Sequence, residues 1–297
     1  MFIGALRSLP YAAAAVLALG ALAALRVAVA SYRGERSDFT RWPPSEISRH
    51  PERTLIAGLV EVDVSRPGEP RVAAWYVPSR NSAAVMLVHG TGADRSSLLA
   101  ETRLLAAGGF GVLPIDLPGQ GQSEGRSYWG EPERRAIIAA VEWLRARPEV
   151  DASRIGGFGL SMGAYVLTQA AVLCADLRAL TLAAGPTDVV EQNWLSSNRW
   201  GLLSQLPTYW ALRAAGMPLD MMPKDVIGRI APRAVFIIGG EADRAVRPAM
   251  TTQLHAAAGS PKELWIVPHA HHGDYAQVVP EEYAFRLLDF YRRRLLA

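Results

Sequence analysis

The sequence predicts an α/β protein: a mostly parallel central sheet, helices on both faces, and a small helical insertion near one edge. Short apolar runs alternate with helix-length segments along most of the chain, the pattern of repeated strand–helix units. Several strand-like runs, such as 84–88 and 234–239, are apolar throughout, as expected of parallel strands covered on both sides. A Gly-x-Ser-x-Gly turn, Gly159-Leu160-Ser161-Met162-Gly163, joins one such strand to a helix. With 297 residues, 50% of them hydrophobic, the chain can bury a large core, and one α/β domain of about 250 residues is ordinary.

In chain order, the apolar runs place strands at 59–64, 72–77 and 85–88, followed by a helix near 97–107. A strand at 112–115 and a helix at 133–147 precede the strand at 154–158 that feeds the glycine turn. Residues 164–175 contain no helix breaker and are rich in Ala and Leu, so they read as the helix after it. The series closes with a strand at 180–184, a strand at 234–238, a helix near 248–258, a strand at 264–267 and a helix at 281–296. Between the strands at 180–184 and 234–238 lies an insertion, about 186–229, carrying Trp194, Trp200 and Trp210. Read as a lid, it lays those aromatics over the site and forms an apolar acyl or aryl pocket; read as a plain subdomain, they pack on one another.

The N-terminus is expected to meet a membrane. Seventeen residues, 9–25, carry no charge and are flanked by Arg7 and Arg26, which is the lower limit for a spanning helix. Ala28-Val29-Ala30 also fits a signal-peptidase site, but Arg26 between it and the apolar stretch favours an uncleaved anchor. Residues 1–30 are therefore taken as a single-pass anchor, 31–54 as a charged, Pro-containing linker, and 55–297 as the α/β domain with its insertion. Arg26, Arg33, Arg36 and Arg41 outweigh Arg7 and the amino terminus, which points to a cytoplasmic domain; export after cleavage is the alternative.

The chemistry gathers around the glycine turn. A serine on a sharp strand-to-helix turn is lifted out of the sheet at a helix N-terminus, where exposed N–H groups favour negative charge, and the flanking glycines are expected to permit the strained backbone. Such a nucleophile needs an acid and then a histidine downstream, and a loop upstream that supplies a second oxyanion donor. Downstream, residues 234–239 run into Gly240-Glu241-Ala242-Asp243, placing carboxylates at the strand's C-terminal end, where sites are built in such sheets. Asp243 is assigned to orient the histidine, with Glu241 as the fallback. Pro268-His269-Ala270-His271-His272-Gly273 follows the next strand; His272 is assigned as general base and His271 is the competitor. Upstream, residues 84–88 run into His89-Gly90-Thr91-Gly92, so the oxyanion donors are expected to be the N–H groups of Thr91 and Met162. His89 and Asp116 precede the serine and are read as loop organisers.

These motifs resemble those of the α/β-hydrolases, specifically an esterase or lipase-like member. The matching pieces are His89-Gly90-x-Gly92-x-x-Arg95, the run from Asp116 to Ser123, the serine turn, Gly240-x-x-Asp243 and His272-Gly273, in the family's order from residue 59 onward. The resemblance implies an α/β-hydrolase fold and a Ser161–His272–Asp243 hydrolase acting on a small-molecule ester through an acyl-enzyme, with no cofactor. Acyl transfer, thioester cleavage or a catalytically inactive membrane-anchored scaffold are the alternatives on the same fold.

Several classes are excluded. Gly119-x-Gly121 continues to Gly125, one residue too far for a dinucleotide fingerprint, and neither lysine, Lys224 nor Lys262, follows a phosphate-loop glycine pattern. The net charge of +3 is spread over scattered arginines, with no basic, aromatic-interleaved stripe for nucleic acid. The histidine cluster lacks the second ligand group that a metal site needs, and the single cysteine, Cys174, permits no internal disulfide.

Overall fold

In the computed structural model, residues 42–189, 213, 217 and 219–297 are described. Eight strands form one sheet: β1 (Val60–Asp63), β2 (Ala73–Tyr76), β3 (Ala84–Val88), β4 (Gly111–Ile115), β5 (Ile155–Leu160), β6 (Leu177–Ala183), β7 (Ala234–Gly240) and β8 (Lys262–Val267). Their spatial order is β1-β2-β4-β3-β5-β6-β7-β8. Strand β2 runs antiparallel to both its neighbours, and the remaining pairings are parallel. The long helices are α1 (Leu99–Ala107), α2 (Glu131–Arg145), α3 (Met162–Leu173), α4 (Pro248–Ala257) and α5 (Pro280–Tyr291). The fold is that of the α/β hydrolases.

Strands β2 to β7 are buried on both faces, which explains why they read as continuous apolar runs, while β1 at the sheet edge is largely exposed. Along β3, Ala84, Met86 and Val88 join the core beneath α2, α3 and α4, with Ile137, Val141, Tyr165 and Leu254 from those helices. Val85 and Leu87 join the opposite core, with Leu105 of α1 and Tyr283, Leu287 and Phe290 of α5. This is the two-residue side-chain period of a strand with no solvent face.

The chain leaves β3 toward β4 on one side and returns to β5 on the other. That reversal opens a crevice at the strands' C-terminal ends, where such sheets bind ligands. Val88 and Gly159 are register partners at this point, so the loops after β3 and β5 emerge side by side.

Two segments differ from the sequence expectation. Within the stretch read as a linker, residues 42–54 form two short turns, Glu46–Arg49 and Pro51–Thr54, docked against the loop after β3. The last helix is regular only to Tyr291 and finishes in a wider turn, Arg292–Leu296. Among the described residues no helix is long and apolar enough to cross a membrane; the apolar stretch 9–25 and most of the insertion, including Trp194, Trp200 and Trp210, lie outside those residues.

Candidate active site

Ser161 sits between β5 and α3 with φ 56° and ψ −119°, a region that costs a non-glycine residue of order 1–3 kcal/mol and persists only where the surroundings enforce it. Its N–H donates to the Ala183 carbonyl of β6 at 2.8 Å. The flanking glycines play a different part from the one their sequence suggested. Neither Gly159 nor Gly163 has a positive φ; the strain is carried by the serine itself. The glycines are needed because the backbone is crowded: a Cβ on Gly159 would lie 2.6 Å from backbone atoms of Gly163, and one on Gly163 would lie 2.1 Å from the Val88 carbonyl oxygen.

From Ser161 a single hydrogen-bonded chain runs to the end of β7. His272 Nε2 lies 2.9 Å from Ser161 Oγ, and His272 Nδ1 lies 2.8 Å from Asp243 Oδ2. Asp243 is buried, and its other oxygen accepts the N–H groups of Ala245 and Val246 at 2.8 and 2.9 Å. The carboxylate is thereby fixed as an acceptor; with a proton on His272 Nδ1 donated to it, Nε2 is left to accept from the serine hydroxyl. The histidine loop reaches this position by closing over Gly240, where a Cβ would lie 2.4 Å from the carbonyl oxygens of both Ala270 and His271.

The competing residues point elsewhere. His271 Nδ1 faces the Ala242 carbonyl at 3.2 Å. His269 is exposed, and Glu241 accepts its backbone N–H at 3.0 Å; that carboxylate braces the loop and does not approach His272.

The loop after β3 lies against the serine: a Cβ on Gly90 would be 3.2 Å from Ser161 Cβ. The next N–H belongs to Thr91, and among the described residues neither it nor the Met162 N–H is engaged in a hydrogen bond. The Gly92 N–H is already spent on Gln120 Oε1 at 2.9 Å. Buried His89 secures the loop: its Nδ1–H donates to the Gly90 carbonyl at 2.8 Å while Nε2 accepts from the Leu117 N–H at 3.0 Å. Burial pushes its pKa down, more than the pull of Asp116 raises it, which keeps this imidazole neutral. Asp116 in turn accepts from the Arg95 N–H at 2.7 Å and from the Gln122 N–H at 2.8 Å, and pairs with the buried Arg95 guanidinium.

Sequence reading missed one structural centre near the site. Glu133, buried on α2, accepts hydrogen bonds from Ser127 Oγ and from the N–H groups of Tyr128, Trp129 and Gly130. It holds Trp129 at φ 56°, with the indole edge-on to Tyr165, centroids 5.5 Å apart. Tyr165, one turn after Ser161, touches Met222 Sδ through its hydroxyl at 3.3 Å. The signal in the sequence was the carboxylate three residues into a helix behind Gly130, a capping pattern.

A family model for alpha/beta hydrolases matches residues 85–286. The chain belongs to the alpha/beta hydrolase family. Within curated proteins this hydrolase is 30% identical over 216 residues to Rv2307c, an uncharacterised protein of Mycobacterium tuberculosis, with 69% of each chain covered. It is 28% identical over 242 residues to a second uncharacterised protein of that organism, Rv2627c, covering 70% of this chain and 57% of the other. Among solved structures, the esterase Pf2001 of Pyrococcus furiosus superposes with a TM-score of 0.72 at 22% identity, covering 86% of this chain and 98% of that one. The alpha/beta hydrolase GrgF of a Penicillium species superposes at 0.64 with 19% identity, covering 80% and 99%. At those identities the structural likeness speaks to the fold.

Proposed function

We propose that this alpha/beta hydrolase is a serine esterase cleaving a carboxylic ester with an apolar acyl or aryl group, through a triad of Ser161, His272 and Asp243. The observation that carries the reading is His272, which bridges Ser161 Oγ at 2.9 Å and Asp243 Oδ2 at 2.8 Å. Ser161 attacks the acyl carbon as its proton passes to His272 Nε2, and Asp243 stabilises the imidazolium that forms. The tetrahedral oxyanion takes the N–H groups of Thr91 and Met162, the two donors beside the serine left without partners among the described residues. His272 then protonates the leaving alcohol, and the same imidazole activates the water that releases the acid and restores Ser161.

The apolar substrate preference rests on the tryptophans of the insertion, Trp194, Trp200 and Trp210. An N-terminal anchor at 1–30 belongs to this proposal and rests on the uncharged stretch 9–25, and a cytoplasmic domain rests on Arg26, Arg33, Arg36 and Arg41 after it. Recovery of the full chain in the aqueous phase after alkaline carbonate washing of membranes would count against that anchor.

The deciding experiment is labelling with a fluorophosphonate, which phosphonylates only an activated serine. Wild type labelled and Ser161→Ala unlabelled supports the triad and leads to a screen of short- and long-chain esters. Folded wild type that resists labelling, with and without detergent, rejects it.

A further inference from the structure

Trp42 lies outside the residues matched by the family model, which begin at residue 85, yet it reaches the candidate site. Its indole carbons Cη2, Cζ2 and Cζ3 stand 3.3–3.4 Å from the point a Cβ would occupy on Gly92. The ring therefore lies directly against that residue's Cα. Gly92 holds φ +72°, the left-handed region in which glycine is the freest residue and carries no side chain to anchor it. The Trp42 backbone is tied down independently: its N–H donates to the Gly119 carbonyl at 2.9 Å, and it bridges Gln120 in parallel fashion. Gln120 Oε1 accepts the Gly92 N–H. Gly92 is thus held on its Cα by the indole and on its N–H by Gln120. Thr91 is confined between this clamped glycine and Gly90, which abuts Ser161.

The following residues extend the strap. The Ser45 N–H donates to Asp94 Oδ2 at 2.6 Å, Ser45 Oγ meets Ser96 Oγ at 2.8 Å, and the Ser48 carbonyl accepts from Arg95 Nη2 at 3.2 Å. The loop from Gly90 to Ser96 is therefore bound from outside by a segment that the family model does not include.

We propose that Trp42 is a positioning residue for the oxyanion hole, aiming the N–H of Thr91 through its packing on Gly92. The inference rests on the serine esterase reading. An oxyanion hole works because its donors are fixed before charge develops, and loss of one donor costs about 10²–10³ in kcat. Releasing Gly92 blurs the aim of Thr91 without removing its N–H, so a part of that loss is expected. It falls on kcat more than on KM, because the hole binds the tetrahedral oxyanion better than the ground-state carbonyl. The hold is one of packing, since the buried indole Nε1 has no hydrogen-bond partner among the described residues; another aromatic ring should restore it.

The test uses the full-length protein and an activated ester such as p-nitrophenyl butyrate. In Trp42→Ala, kcat should fall roughly 10- to 100-fold with KM within about twofold, while Trp42→Phe recovers most of it. A trifluoromethyl ketone, which forms a tetrahedral adduct with the serine and fills the hole, should lose affinity across the series in the same ratio as kcat/KM. An unchanged kcat, or a fallen kcat with undiminished affinity for the ketone, overturns the proposal. If Trp42→Ala does not fold, Trp42→Phe and Trp42→Leu carry the same correlation between kcat/KM and ketone affinity, and its absence is equally fatal. Failure of the underlying esterase reading is separately visible as activity that survives Ser161→Ala.

Discussion

The backbone of Gly163 lies so close to the carbonyl oxygen of Val88 that an added Cβ would stand 2.1 Å from it, and 2.6 Å from that of His89. The first turn of the helix behind Ser161 is thus seated on the last residue of β3 and the start of the loop bearing Thr91. Ser161, the proposed nucleophile, and the proposed oxyanion donors are set relative to each other by this backbone contact, and no side chain intervenes.

Gly163→Ala should therefore damage both stability and activity. Overpacking costs about 1–3 kcal/mol, occasionally more, and here the obstacle is backbone that cannot rotate away. A fall in melting temperature of roughly 2–4 °C per kcal/mol is expected, with a loss of hydrolase rate larger than the fraction unfolded explains. A variant with wild-type Tm and rate would show that the two loops are not so coupled.

His272→Ala and His271→Ala should separate cleanly. The first removes the group that meets both Ser161 and Asp243 and should cost roughly 10⁴-fold or more in kcat. The second loses only a 3.2 Å contact with the Ala242 carbonyl, and its kcat should stay within about tenfold. The reverse order in steady-state kinetics would reassign the base.

Asp243→Asn keeps the shape of the side chain but replaces one acceptor oxygen with an amide donor. One of its two tasks must then fail: accepting from Ala245 and Val246, or accepting from His272 Nδ1. A fall near 10⁴-fold in kcat is expected, with the imidazole turned to the wrong tautomer. Retention of more than a tenth of the activity would remove Asp243 from the triad.

Glu133→Gln tests the capping centre under Trp129. The buried carboxylate accepts four hydrogen bonds; an amide accepts through only one of its two heavy atoms and sets N–H against N–H at the other. Each unsatisfied buried donor costs about 1–3 kcal/mol, so a clear drop in Tm is expected. An unaltered denaturation midpoint would contradict the hydrogen-bond assignment.

Stability should fall on acidification in a way that His89 accounts for in part. Burial holds its pKa below the ordinary ~6.5 in the folded protein, so between the folded and unfolded values the unfolded chain binds the extra proton. Stability is then fully present above about pH 6.5 and is lost as pH falls below it. In His89→Gln the dependence of Tm on pH between 8 and 5 should be shallower than in wild type, by the equivalent of up to about one proton. Parallel curves would mean that the imidazole titrates alike in the folded and unfolded chain.

Much of this architecture was legible because its signals are local. Apolar runs of strand length recur between helical segments, and parallel strands buried on both faces leave that imprint wherever they pair. The eight strands therefore appear in the sequence within a few residues of their ends, and the chain order of serine, acid and histidine can be read along it. The strand order β4-β3-β5 and the antiparallel run of β2 have no comparable local mark, since they depend on which edges pair at long range.

The same division runs through the site. By itself the sequence determined the strand–turn–helix at Ser161, a carboxylate beyond β7 and a histidine cluster beyond β8, because turn chemistry and strand ends are written in adjacent residues. Only the tertiary structure decided which histidine meets Ser161: His269, His271 and His272 share one local context, and the choice follows from how their loop closes over Gly240 toward Asp243 on the neighbouring strand. It also decided that Gly159 and Gly163 serve close approach while Ser161 bears the strain, and that Trp42 lies on Gly92, fifty residues away in sequence. Those are contacts between distant segments, set by packing against atoms that no neighbouring residue announces.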